Sequence, residues 1–388
     1  MRAPILTFAL VLCAGSAQAE GYRLRADALA QAQAPLGVLS LSGSSQLTPG
    51  AEAEAWLWMS GGDQVSPELD ALVASLAYRD PEGRGVARVG RFILSSGALP
   101  PIHQDGALGI VNLPWRGTVE LFAGLPVRPR FGERDFNWLA GGRLGQAFGP
   151  VQAGLAYYQR RDDGALGDHE LAFDAYTYLF ERFSLAVRAS ADLINFGLSQ
   201  GTLAAGYDLG PLRLEGTFAQ RSPSRLLPAT SLFSVLGDQA LRFGNLRVAY
   251  RIAPRLQVIG TVGARFYDDE PALDLILASR LWLDRLGQSA VGLELRRQGA
   301  IDGGWMGVRA TGRYFPIDFL VLSTELELVR PDDPSAEEGE LWPWGLLAIG
   351  LRPDPSWIFD LAGEASASPT ARSSYDLLLR VAYQPELP

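Results

Sequence analysis

The sequence predicts an all-β protein, a transmembrane antiparallel up-and-down β-barrel, and three observations carry that expectation. Apolar and polar residues alternate with period two in stretch after stretch. Tight turns alternate with longer polar connectors. No stretch offers the ~20 consecutive apolar residues that a spanning helix needs. A strand points successive side chains to opposite faces, so the alternation gives one apolar and one charged face. In an outer membrane the first meets lipid and the second lines a lumen. A mean hydropathy of +0.06, with 10% aromatic residues and 43 glycines, is the intermediate average such strands produce.

The pattern is clearest between Arg182 and Arg221. In RFSLAVRASADL, Phe183, Leu185, Val187, Ala189, Ala191 and Leu193 share one parity, while Ser184, Arg188, Ser190 and Asp192 take the other. After the connector INFGLSQGT and a weaker strand LAAGYDL, the turn Gly210-Pro211 leads into LRLEGTFAQR. There Leu212, Leu214 and Phe218 oppose Arg213, Glu215, Thr217 and Arg221.

Taken from its start, the chain opens MRAPILTFALVLCAGSAQA: a positive residue at Arg2, an apolar run, and small Ala17 and Ala19 before Glu20. This is the pattern of a secretory signal peptide over residues 1–19, leaving 20–388 as the barrel. The one cysteine, Cys13, falls inside that leader. All basic residues are Arg, and 43 acids give a net charge of -9, which argues against nucleic acid as a partner.

The first strands read YRLRADALAQ, GVLSLSGSSQL, AEAEAWLWMS, LDALVASLAYR and GVARVGRFIL. Trp56 and Trp58 share one face, where an interfacial aromatic girdle is expected. Next come a loop with Pro100-Pro101 and His103 to Gly106, a strand ALGIVNL, a tight turn Pro114 to Gly117 and a strand TVELFAGL. From Asp135 onward, short turns such as FGPV, FERF, LGPL and APRL alternate with longer connectors such as RRDDGALGDHE and INFGLSQGT. That is the one-sided loop asymmetry of outer-membrane barrels. The count comes to about 20 strands, within roughly 18 to 22, an even number as such barrels require.

RVGRFIL, a Pro/Gly loop, HQDGALGIVNLP and a strand ending FAGLPV together resemble a pattern in bacterial outer-membrane porin-like and polysaccharide-export barrels. There a "GRQ"-type strand leads through a loop to a "DG" strand. The resemblance covers about 40 residues in detail, from Arg88 to Val127, and the rest only by architecture, and implies a membrane channel; position 92 is Phe where the pattern usually has Gln.

Chemistry along the chain is sparse. His103 and His169 are its two histidines, and both are expected in loops, as is Asp105. Neither a catalytic constellation nor metal-ligand spacing can be assembled from them, so no enzyme, cofactor or metal site is expected. The candidate functional residues are inward charges of polar parity: Arg188, Asp192, Arg213, Glu215, Arg265, Glu294, Arg296, Arg309, Arg313, Glu325, Glu327, Asp360, Glu364 and Arg380. An Arg facing lipid near the midplane costs ~2–4 kcal/mol, which forces such residues inward. The connector over residues 221–244 mixes Leu and Phe with Arg225 and is equally a candidate constriction folded into the lumen or an external loop.

The expected function is a channel passing polar solutes through a charged lumen. The expected partners are the lipid bilayer, lipopolysaccharide and the barrel-assembly machinery. Two alternatives stand beside it: the exit channel of a polysaccharide secretion system, which needs a periplasmic secretion component, and a structural or adhesive surface barrel.

Overall fold

A computed structural model describes residues 22–31, 36–62, 66–127, 137–194, 196–222, 241–267, 270–299, 303–333, 341–368 and 371–384. The leader and most of the 221–244 connector lie outside them. Twenty-two strands form one sheet. They are β1 (Tyr22–Gln31), β2 (Leu36–Thr48), β3 (Ala51–Gly62), β4 (Glu68–Arg79), β5 (Gly85–Leu94), β6 (Ile102–Asn112), β7 (Gly117–Pro126) and β8 (Trp138–Phe148). Then come β9 (Val151–Asp162), β10 (Ala165–Leu179), β11 (Phe183–Asp192), β12 (Gly197–Asp208), β13 (Leu212–Arg221), β14 (Leu241–Ala253) and β15 (Leu256–Tyr267). The last are β16 (Glu270–Trp282), β17 (Ala290–Gln298), β18 (Trp305–Ile317), β19 (Leu320–Pro331), β20 (Trp342–Leu351), β21 (Trp357–Ser368) and β22 (Ala371–Tyr383).

Strands from β5 to β15 pair antiparallel, each with the next in the chain. β1 pairs with both β2 and β22, and the second pairing closes an up-and-down barrel. The fold class is therefore the expected one, at the upper end of the expected strand number. The chain divides into two compact units, 1–76 with 280–295 and 306–388, and 77–279 with 296–305.

In the first unit the outer face carries exposed Leu326, Leu328, Leu347, Ile349, Leu361 and Leu377. Trp357, Phe359 and Tyr383 cluster on it where β21 begins and β22 ends, with ring centroids 5.5 and 4.5 Å from that of Trp357. Such an aromatic group at the edge of an apolar band is what an interface girdle requires. Trp56 and Trp58 depart from expectation. They stand opposite Ser42 and Ser40 in the register, on the face opposite Leu57, and the Trp56 indole donates to Ser40 Oγ at 2.7 Å. Leu57 holds the outward parity there, which leaves the two tryptophans inside.

In the second unit the outer face carries Val89, Ile93, Leu121, Leu125, Leu144, Leu155 and Phe173. The inner face holds a compact apolar cluster of Phe92, Leu94, Leu99, Ile102, Phe122, Leu139, Ala156, Tyr158 and Ala172.

Two loop expectations are corrected here. His103 and Asp105 lie within β6, because the ladder to β5 starts at Ile102 and runs unbroken past them. His169 lies within β10, because β9 and β10 extend to a two-residue turn at Asp163 and Gly164, whose positive φ angles of 49° and 77° suit a tight hairpin. The connectors at 163–164 and 193–196 are thus as short as the turns on the other side, and the loop asymmetry is weaker than the sequence suggests.

Candidate functional site

The inner face of β5 to β10 is built on glycine. In register, Gly90 faces Gly106 and Gly106 faces Gly124, so three strands carry no side chain along one row. A Cβ on Gly106 would lie 2.3 Å from the Ala123 carbonyl oxygen, so the strands approach too closely there for any other residue. Large neighbours spread over the space left. The Phe122 ring covers Gly141 and stacks on Tyr158 at a centroid distance of 6.5 Å.

These glycines belong to the stretch that resembles the porin-like pattern, and its two halves are ladder partners: Gly90 with Gly106, Arg91 with Asp105, Phe92 with Gln104. Arg91 and Asp105 have the same parity as Val89, Ile93 and Leu125, which puts them on the outer face. They form a two-pronged ion pair at 2.7 and 2.8 Å. Pairing each charge so closely reduces the cost of holding it on a face otherwise covered by exposed Val, Ile and Leu. Phe92 and Gln104 are fully buried on the inner face, and neither amide atom of Gln104 has a hydrogen-bond partner.

Below this row lies a charged triad. Arg143 on β8 donates Nη1 to Glu120 Oε1 on β7 at 3.1 Å. It also donates Nε and Nη2 to Asp174 on β10 at 3.0 and 2.7 Å. β9 runs between β8 and β10, and the guanidinium crosses it at Gly154, where a Cβ would meet Nη2 at 2.4 Å. The three side chains are only 14–18% exposed.

The connector 95–101 does not leave the wall. Ser96 Oγ donates to Glu120 Oε2 at 2.8 Å. Gly97, at φ 56°, sits so close to the triad that a Cβ there would lie 2.2 Å from Asp174 Oδ1. Leu99 joins the apolar cluster. Within a connector that the sequence marks only as a Pro/Gly loop, Ser96 to Leu99 thus lie against the inner wall, while Ser95 and Pro101 stay exposed.

Further along, Arg160 pairs with Asp162 and Asp168 at 3.1 and 3.0 Å, and Glu170 faces Asp192 across the β10–β11 ladder. Arg213 and Arg247 share Glu215 at 2.7 and 2.8 Å, and Arg265 makes a two-pronged bond to Asp274 at 2.7 and 2.8 Å. In the first unit Arg380 reaches Asp27 at 2.8 Å and Asp360 at 3.5 Å, and Arg309 pairs with Glu325. Glu364 accepts from Trp344 Nε1 at 2.7 Å, and Arg313 lies over the Phe315 ring at 4.9 Å. Most of the fourteen charges singled out in the sequence take the parity opposite to the exposed apolar residues of their own strand; Arg309 and Arg313 share theirs with exposed Ile317 at the end of β18, and Arg380 stands opposite exposed Leu29 in the β1–β22 ladder. Seven of the fourteen, Arg213, Glu215, Arg265, Arg309, Glu325, Asp360 and Arg380, stand in the ion pairs just described; no cluster of three or more His, Cys, Asp or Glu suited to a metal occurs among the described residues.

The sequence pattern does not single out Ser96, Gly97, Gln104, Glu120, Arg143, Asp174 or Glu170. Parity alone could have found Glu120 and Asp174, and the glycines around Arg143 in GGRLG are a second signal.

No protein-family model matches the sequence, and no curated protein matches it. Solved structures do. The siderophore receptor PirA from Acinetobacter baumannii aligns over 95% of this chain and 81% of its own, at 8% identity and a TM-score of 0.63. The ferric-catecholate import receptor Fiu from E. coli K12 aligns over 95% of this chain and 82% of its own, at 9% identity and a TM-score of 0.57. The fold is that of a bacterial outer-membrane β-barrel. An OccD1 (OprD) variant aligns over 96% of this chain and 97% of its own, at 10% identity and a TM-score of 0.44.

Proposed function

We propose that this barrel is an outer-membrane channel that passes polar solutes along its charged inner wall. One observation carries the reading: outside the Arg91–Asp105 pair, the ion pairs described above line one face of the strands, beside a local apolar cluster on β5 to β10, while exposed Leu, Val and Phe cover the other face. A water-filled interior stabilises the charges, and lipid accepts the apolar face. In this reading the chain resides in the outer membrane among lipid and lipopolysaccharide, is inserted by the barrel-assembly machinery, and does its work by binding and passage without a chemical step. With 43 acids against 34 basic residues, cations and neutral polar solutes pass more readily than anions.

The test is planar-bilayer conductance of the refolded protein with reversal potentials under a salt gradient. Stable, cation-preferring steps are expected, and Glu325→Gln with Glu327→Gln should lower the preference. A folded, heat-modifiable barrel that never conducts would overturn the channel reading.

A further inference from the structure

We infer that residues 95–101 are a releasable strap that sets the free section along this part of the inner wall, with Arg143 as the positioning residue that latches it. The inference rests on the channel reading above. A connector at a strand end is ordinarily solvated, because its backbone polar groups need water. Here Ser96 is 1% and Leu99 5% exposed, so the strap is held down.

Its attachments are few and local. They are the Ser96 hydrogen bond to Glu120, the seat of Gly97 on Asp174 and Arg143, and Leu99 in the apolar cluster. Glu120 and Asp174 stand on different strands, and Arg143 is what draws both carboxylates to one place. Without it they would repel, and the seat for Ser96 and Gly97 would open.

The covalent frame suits such a motion: Pro100-Pro101 stiffens the arm next to β6, while Gly97 turns the corner in the left-handed region.

The experiment uses the full-length chain folded in lipid vesicles, with Leu99→Cys in a Cys13→Ser background and a membrane-impermeant maleimide as the probe. Slow labelling is expected with Gly97 in place. Gly97→Val drives a branched side chain into the Asp174 carboxylate, and should speed labelling by about tenfold or more as the open population grows. Arg143→Met should act in the same direction. Ser96→Ala, which strains nothing, should give a smaller acceleration and serves if the bulkier variant fails to fold. Each accelerating variant, tested without the added cysteine, should also raise single-channel conductance.

Equal labelling rates with and without these substitutions would show that the strap is not docked and would overturn the inference. Faster labelling at unchanged conductance would show that it does not set the free section, which also overturns it. If no protein conducts, the channel reading falls and the gating role with it, while the labelling rates still report whether the strap is docked.

Discussion

Arg143 on β8 and Asp174 on β10 are bonded to each other across an intervening strand, through two hydrogen bonds at 3.0 and 2.7 Å that pass over Gly154. Neighbouring strands stand ~4.8 Å apart, so a contact between next-nearest strands needs a long side chain and a bare backbone beneath it. Arg supplies the first and Gly154 the second. Because the triad is largely enclosed, Arg143→Met leaves two carboxylates facing each other without a counter-charge. The expected loss is about 3 kcal/mol of stability, read from urea unfolding in vesicles. Gly154→Val should cost a similar amount by pushing the guanidinium aside, and a loss below about 1 kcal/mol for both would show that the triad is solvated and idle.

Gln104 offers the opposite sign. Gln104→Met keeps the length of the side chain and removes two orphaned polar atoms, so unfolding resistance should rise by about 1 kcal/mol. A fall of the same size would mean that water or a segment beyond the described residues satisfies the amide. Phe92→Gln restores the residue that the resembling pattern carries, opposite Gln104 in the ladder. It should give the amide a partner at the expense of the apolar cluster.

The lipid-facing assignment is open to a direct test at Leu347, 61% exposed near the middle of β20. On a soluble protein Leu347→Arg would be close to neutral. On a face that meets hydrocarbon it should cost ~2–4 kcal/mol, measured by unfolding from bilayers of matched thickness.

Asp284 gives the pH dependence. It lies in the turn between β16 and β17, where its carboxylate accepts the backbone N–H of Ser289 and, at 3.0 Å, that of Gln288. These bonds hold its carboxyl below the ordinary aspartate value. A carboxyl depressed in the folded state adds stability that is present above its unfolded pKa and is lost as pH falls through the folded one. The wild-type unfolding midpoint should therefore drop below about pH 4, and Asp284→Asn should flatten that part of the decline. The same slope in both proteins would assign the acid limb to other groups.

Part of the wall is legible in the chain alone. Glu325 and Glu327 oppose Leu326 and Leu328 by counting, and the bounds of β1 and β5 are those of the alternating stretches. Where expectation and structure differ, a local signal is missing. The habit of aromatic residues to mark the membrane edge puts Trp56 and Trp58 outside, yet their neighbour Leu57 holds the outward parity. Pro100-Pro101 just before His103 suggests a loop there, but the prolines end the connector and the ladder begins one residue later.

By itself the sequence determined which residues share a face and that the chain makes many antiparallel strands, since both follow from the period-two geometry of an extended chain. Tertiary structure alone decided that the 95–101 connector turns inward, that Glu120, Arg143 and Asp174 meet, and that Gly90, Gly106 and Gly124 fall in one row. These depend on the register between strands and on the space left by absent side chains, and neither quantity belongs to any one segment.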